Sequence, residues 1–134
     1  MKIDLLSLAA DRRKGRVHGI TSVCSAHPVV LRAALRFAAR HQSTVVIEAT
    51  CNQVNHRGGY TGMQPADFAA LVRRIAAEEA CPDDLILLGG DHLGPNPWRG
   101  QPAEAAMAEA EAMVGTYVAA GFRKLHLDCS MGCA

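Results

Sequence analysis

The run Leu85-Ile-Leu-Leu88 is apolar at every position and leads into Gly89-Gly-Asp-His92. A strand with no polar alternation is covered on both faces, and such strands belong to parallel sheets layered between helices. The rest of the chain repeats this theme. Short apolar runs at Val17–Val23, Thr44–Ala49, Leu85–Leu88 and Lys124–Leu127 read as four strands. Between them lie helix-length segments opened by Pro28, Pro65 and Pro102, residues that suit the first helical turn. In the second of these, Phe68, Leu71, Val72, Ile75 and Ala76 follow the i, i+3, i+4, i+7, i+8 template, and Gly121 closes the third, which runs to about Ala120. Strict β-α alternation with right-handed crossovers requires a parallel sheet. Four strands are half of the eight that close a barrel. The expected class is therefore α/β, four parallel strands with intervening helices, which cannot close a barrel by themselves. Residues 1–16 read as a lead-in helix and residues 17–134 as an incomplete barrel domain whose remainder is expected beyond residue 134.

In parallel α/β folds the chemistry sits where strands deliver their carboxyl ends. Here those ends are uniformly polar: Ser22, Ser25 and His27; Glu48, Thr50 and Asn52; Asp91 and His92; Asp128 and Ser130. Four such ends on one face predict a ligand site, with Ser25, His27, Glu48, Asn52, Gln53, Asp128 and Ser130 as candidates for binding a substrate or its phosphate. His92 is a candidate metal ligand, or a histidine that only hydrogen-bonds within a tight turn. On an extended chain Asp91 and His92 point to opposite sides, so the pair is not expected to chelate one ion easily; one can bind metal while the other handles a proton. His18 and His126, early and mid-strand, read as interior packing groups. The long loop Cys51–Gln64 contains Gly58-Gly-Tyr-Thr-Gly62, which reads either as a backbone cradle for phosphate, through Gly58 and Gly59, or as a hinge. Arg32, Arg36 and Arg40 form a stripe expected to face solvent, and Arg74 and Glu78 are spaced to pair along their helix.

Other chemistries find no support. No P-loop and no dinucleotide fingerprint is present, so no nucleotide cofactor is expected. With 14 basic against 13 acidic residues and 4% aromatics, nothing favours nucleic acid or an anionic membrane as partner. Five cysteines at scattered spacings, with no secretory signal, suit free thiols in a reducing compartment; the expected location is cytoplasmic.

Several long motifs then narrow the reading. Ser22-Val-Cys-Ser-Ala-His-Pro28, Ile47-Glu-Ala-Thr-Cys-Asn-Gln-Val-Asn55, Gly58-Gly-Tyr-Thr-Gly-Met-Gln-Pro-Ala-Asp-Phe68, Leu88-Gly-Gly-Asp-His-Leu-Gly-Pro-Asn-Pro-Trp98 and Ala120-Gly-Phe-Arg-Lys-Leu-His-Leu-Asp128 together resemble the non-catalytic, Z-type accessory subunit of class II D-tagatose-1,6-bisphosphate aldolase. The resemblance spans about His18 to Ala134. It implies the N-terminal half of a (β/α)8 TIM-type barrel, a role in stabilising a catalytic Y-type aldolase subunit within an oligomer, and a place in the breakdown of galactitol, N-acetylgalactosamine or tagatose 6-phosphate. By the logic of the wider class it also implies a divalent ion, usually zinc, on His92 and an acid/base role for Asp91. Further histidine ligands are implied from later strands, and a supporting acid at Asp128. Two alternatives stand beside the accessory role. One is a metal-dependent aldolase that cleaves tagatose 1,6-bisphosphate to glycerone phosphate and glyceraldehyde 3-phosphate. The other is a sugar-phosphate-binding domain that recognises a phosphorylated ketose without turnover.

Overall fold

A computed structural model describes residues 3–134. Helix α1 spans Leu5–Arg13, and then β1 (Thr21–Cys24), α2 (Pro28–His41), β2 (Val45–Thr50), α3 (Pro65–Glu78), β3 (Ile86–Leu93), α4 (Ala103–Ala119) and β4 (Lys124–Leu127) alternate. The four strands form one sheet in the order β1-β2-β3-β4, all parallel. This is the arrangement of half a (β/α)8 barrel, as the alternation requires.

The two faces of the sheet differ sharply. On one, Val45, Ile47, Ala49, Leu88 and Leu93 pack with Leu31 and Leu35 of α2, Phe68, Val72 and Ile75 of α3, and Met113 and Tyr117 of α4. This is the core, and its helix residues are the ones the 3.6-residue period selects. The opposite parity presents Ser22 and Cys24, Glu48, Gly89 and Asp91, and Lys124 and His126. That face corresponds to a barrel interior, and here it is mostly polar.

Three local expectations change. The first strand begins at Thr21, so His18 lies outside it and is exposed rather than packed inside. The arginine stripe of α2 does not simply face water. Arg32 and Arg36 both reach Glu79 just beyond α3, at 2.6 Å each, and Arg32 also pairs with Glu78. Glu78 is thus engaged across helices rather than along its own. Finally, α1 buries none of its residues. It is capped by Asp4, and the neighbouring Ile3 N–H donates to Thr44 Oγ1 at 2.9 Å, at the amino end of β2. Among the described residues no helix is long and apolar enough to cross a membrane.

Candidate metal and sugar-phosphate site

The carboxyl end of β3 is irregular, and the irregularity builds the site. Pairing with β4 shifts register between Gly90 and Leu93, and His92 adopts a left-handed backbone with φ 51°. A non-glycine residue rarely does so, and such positions cluster where side chains must be re-aimed. The bulge cancels the alternation that would put Asp91 and His92 on opposite sides. Instead His92 Nδ1 lies 2.9 Å from Asp91 Oδ2. From β4, His126 Nδ1 lies 2.9 Å from Asp91 Oδ1. The two imidazoles stand edge to face, with centroids 4.5 Å apart.

The protonation pattern follows from the carboxylate. Burial alone pushes Asp91 upward, but hydrogen bonds from His126 and His92 and the charge of His92 outweigh it and hold the group at about 2. An ionised carboxylate only accepts, so His126 Nδ1 is the donor in its bond to Asp91. An imidazole that is neutral and donates through Nδ1 offers its Nε2 lone pair, the state a metal ligand needs. One donor atom from each of Asp91, His92 and His126 lies within 4.8 Å of the others, and both histidines are exposed. Two imidazoles oriented by one shared carboxylate suit a zinc-like divalent ion. These residues fit the implied ion, and His126, expected from the sequence to pack inside, brings a second imidazole to the cluster. Its signal was its parity: it lies two residues past Lys124 on the same face of β4.

Below Asp91 lies a second charged layer. Glu48 is buried, and its carboxylate takes hydrogen bonds from Lys124 Nζ and Ser22 Oγ. Lys124 Nζ is also 3.8 Å from Asp91 Oδ1. Cys24 neighbours both acids; loss of water, then the charge of Asp91 and its hydrogen bond, push the thiol up to about 12, so it stays protonated and unreactive.

The remaining candidates divide. Asp128 is near the cluster: its carboxylate caps Ser130 N–H at 2.9 Å, and those bonds, with the charges of His92 and His126, lower its pKa. Ser130 contributes that turn and is otherwise exposed. Ser25 and His27 serve the start of α2: Ser25 Oγ accepts from His27 N–H at 3.1 Å, and His27 Nδ1 caps the helix through Val29 N–H at 3.2 Å. Gln53 Oε1 accepts from Thr50 N–H at 2.9 Å and so fixes the end of β2. Asn52 is exposed, with its carbonyl accepting from Tyr60 N–H.

Gly58 and Gly59 turn their N–H groups toward Asn55. Gly58 N–H donates to Asn55 carbonyl at 2.8 Å and Gly59 N–H to Asn55 Oδ1 at 3.0 Å. The buried Asn55 also accepts from Arg57 N–H and donates to Cys51 carbonyl, both at 2.9 Å. The loop is wound on this one amide and spends its own N–H groups inside. His56 and Arg57 both bond Glu109 of α4, at 2.8 and 2.9 Å, and tether the loop to that helix.

A model of the family described as D-tagatose-1,6-bisphosphate aldolase subunit GatZ/KbaZ-like matches residues 5–134. A curated protein named D-tagatose 6-phosphate 4-epimerase, from Agrobacterium fabrum (strain C58 / ATCC 33970), is 68% identical over 130 residues, which are 97% of this chain and 31% of that one. A crystal structure described as a probable tagatose 6 phosphate kinase from Sinorhizobium meliloti 1021 has TM-score 0.84 and 62% identity, covering 87% of this chain and 30% of its own. The chain thus spans under a third of the length of each of these relatives.

Proposed function

The chain belongs to the D-tagatose-1,6-bisphosphate aldolase subunit GatZ/KbaZ-like family, and from that premise we propose that it carries the β1–β4 part of a metal-assisted site acting at C4 of a tagatose phosphate. The observation that carries this reading is the sharing of one carboxylate, Asp91, by the Nδ1 atoms of His92 and His126. Such an arrangement orients two imidazoles for one ion. A divalent ion there supplies Lewis-acid polarisation of a sugar oxygen. His92 and His126 hold and orient through Nε2. Asp91 sets their tautomers, and when it exchanges one imidazole for substrate it is the acceptor for the C4 hydroxyl proton as the C3–C4 bond breaks, returning that proton when the bond re-forms on the other face of C4. The name of the 68% identical relative makes 4-epimerisation of D-tagatose 6-phosphate the first reaction to test. Its C4 epimer is D-fructose 6-phosphate.

The family description also supports a second reading, that of an accessory aldolase subunit. In that reading the chain serves a catalytic Y-type subunit. One experiment separates the two. The protein is incubated with zinc and D-tagatose 6-phosphate, and D-fructose 6-phosphate is followed by a coupled isomerase and dehydrogenase. Turnover that is lost in Asp91→Asn supports the site reading. No turnover, together with a longer half-life of a co-expressed Y-type subunit, supports the accessory reading and overturns the first.

A further inference from the structure

Glu48 is a buried carboxylate that the cluster above does not use directly. It stands opposite Gly89 in the β2–β3 register, and Gly89 stands opposite Lys124 in the β3–β4 register. The Glu48–Lys124 pair therefore reaches past β3 to join strands that are not neighbours. Gly89 keeps that passage open, because a Cβ there falls 2.8 Å from both Glu48 Cγ and Oε1. The same ammonium lies 3.8 Å from Asp91 Oδ1, the oxygen that accepts His126 Nδ1. One cation thus has two carboxylates within reach, and its hydrogen bond goes to the lower one.

That preference matters for the layer above. An ammonium seated on Asp91 competes with the imidazoles for its oxygens and places a positive charge beside the position of a metal cation. Glu48 is buried and takes the hydrogen bond of the ammonium beside that of Ser22, whereas the two Asp91 oxygens already face two imidazoles.

We propose that Glu48 is a positioning residue that holds Lys124 away from Asp91, leaving Asp91 free to orient His92 and His126 toward a divalent cation. The inference rests on the metal reading of the cluster and adds a pair that touches neither the ion nor the sugar.

Glu48→Gln keeps the shape and removes the charge that holds Lys124. The probe is zinc alone, titrated calorimetrically into the 134-residue chain. Glu48→Gln is expected to weaken binding by about tenfold or more. Adding Lys124→Met to it is expected to restore affinity to within about threefold of the parent, because the competing ammonium is gone. Unchanged affinity in Glu48→Gln, or a double variant as weak as the single one, overturns the proposal. A second measurement needs no metal. Nitrogen-15 shifts of His126 are expected to report the Nδ1-protonated tautomer in the parent, movement toward the Nε2-protonated form in Glu48→Gln, and return in the double variant; identical shifts in all three overturn the proposal. If the parent binds no zinc while these shifts respond, the metal reading fails and the positioning role stands. If zinc binds through Asp91 and neither measurement responds, the positioning role fails alone. Should Glu48→Gln not fold, Glu48→Asp, which shortens the reach to Lys124, serves with the same expected directions.

Discussion

His126 Nδ1 donates to Asp91 Oδ1 at 2.9 Å, joining β4 to β3 through side chains where the backbone pairing of the two strands is irregular. If this bond fixes the imidazole for a metal, Asp91→Asn and His126→Ala should each lower zinc affinity by roughly 10- to 100-fold. His18→Ala should leave it unchanged, since His18 is exposed and outside the sheet. Calorimetric titration of the three variants checks this. Equal loss in all three would point to scattered surface binding instead.

The turn that follows His92 depends on a missing side chain. A Cβ on Gly94 falls 1.7 Å from the Asp128 carbonyl oxygen, in the segment that Asp128 N–H pins to Leu93 carbonyl at 2.9 Å. Backbone cannot yield as a flexible side chain does, so the ends of β3 and β4 must separate. Gly94→Ala is expected to destabilise the fold by about 2 kcal/mol or more. Gly100→Ala, with nothing within 4 Å of its Cβ, should stay within about 0.5 kcal/mol of the parent. Urea unfolding of both variants gives the comparison.

What the sequence made legible was whatever repeats along the chain. The all-apolar run at Leu85–Leu88 and the 3.6-residue spacing of Phe68, Leu71, Val72, Ile75 and Ala76 are local patterns, and they placed the strands, the helices and the edge carrying Asp91. The hidden part depended on single departures from pattern. Alternation put Asp91 and His92 on opposite sides, but one left-handed residue at His92 brings them together. His126 looked like packing because mid-strand histidines are usually enclosed, whereas its ring meets Asp91 and His92. The glycines of the 58–62 loop suggested a cradle; Asn55 collects the Gly58 and Gly59 N–H groups, which composition does not reveal.

Acid should release the joint between α2 and α3 in a defined window. Hydrogen bonds from Arg36 and then Arg32 hold the Glu79 carboxyl down at about 2, against an ordinary value of 4.5. A depressed folded-state pKa means that the group stabilises the fold at pH values above its ordinary value. That contribution shrinks as pH falls below about 4.5 and is gone once pH passes below about 2. Melting temperatures of the parent and Glu79→Gln should therefore differ at neutral pH and converge toward pH 2. A constant gap down to that pH would mean that the variant acts through packing rather than charge.

The last relationship lies on the opposite face of the sheet from the site. Tyr117 of α4 is fully buried, its ring set edge-on against Phe122 at 4.6 Å. Its hydroxyl donates to Val54 carbonyl at 2.9 Å and lies 3.4 Å from Ala49 carbonyl, tying α4 to the end of β2 and the loop beyond. Burial pushes the phenol upward, so it remains a donor throughout the ordinary pH range. Tyr117→Phe keeps the ring and removes the donor, leaving a buried carbonyl without that partner. The expected cost is about 1–2 kcal/mol in urea unfolding. Because Asp91, His92 and His126 are anchored on the other face, zinc affinity should change less than about twofold, well short of the tenfold or greater loss expected from removing a ligand or its carboxylate partner. Loss of affinity in proportion to stability would show that the site has no rigidity of its own and follows the global fold.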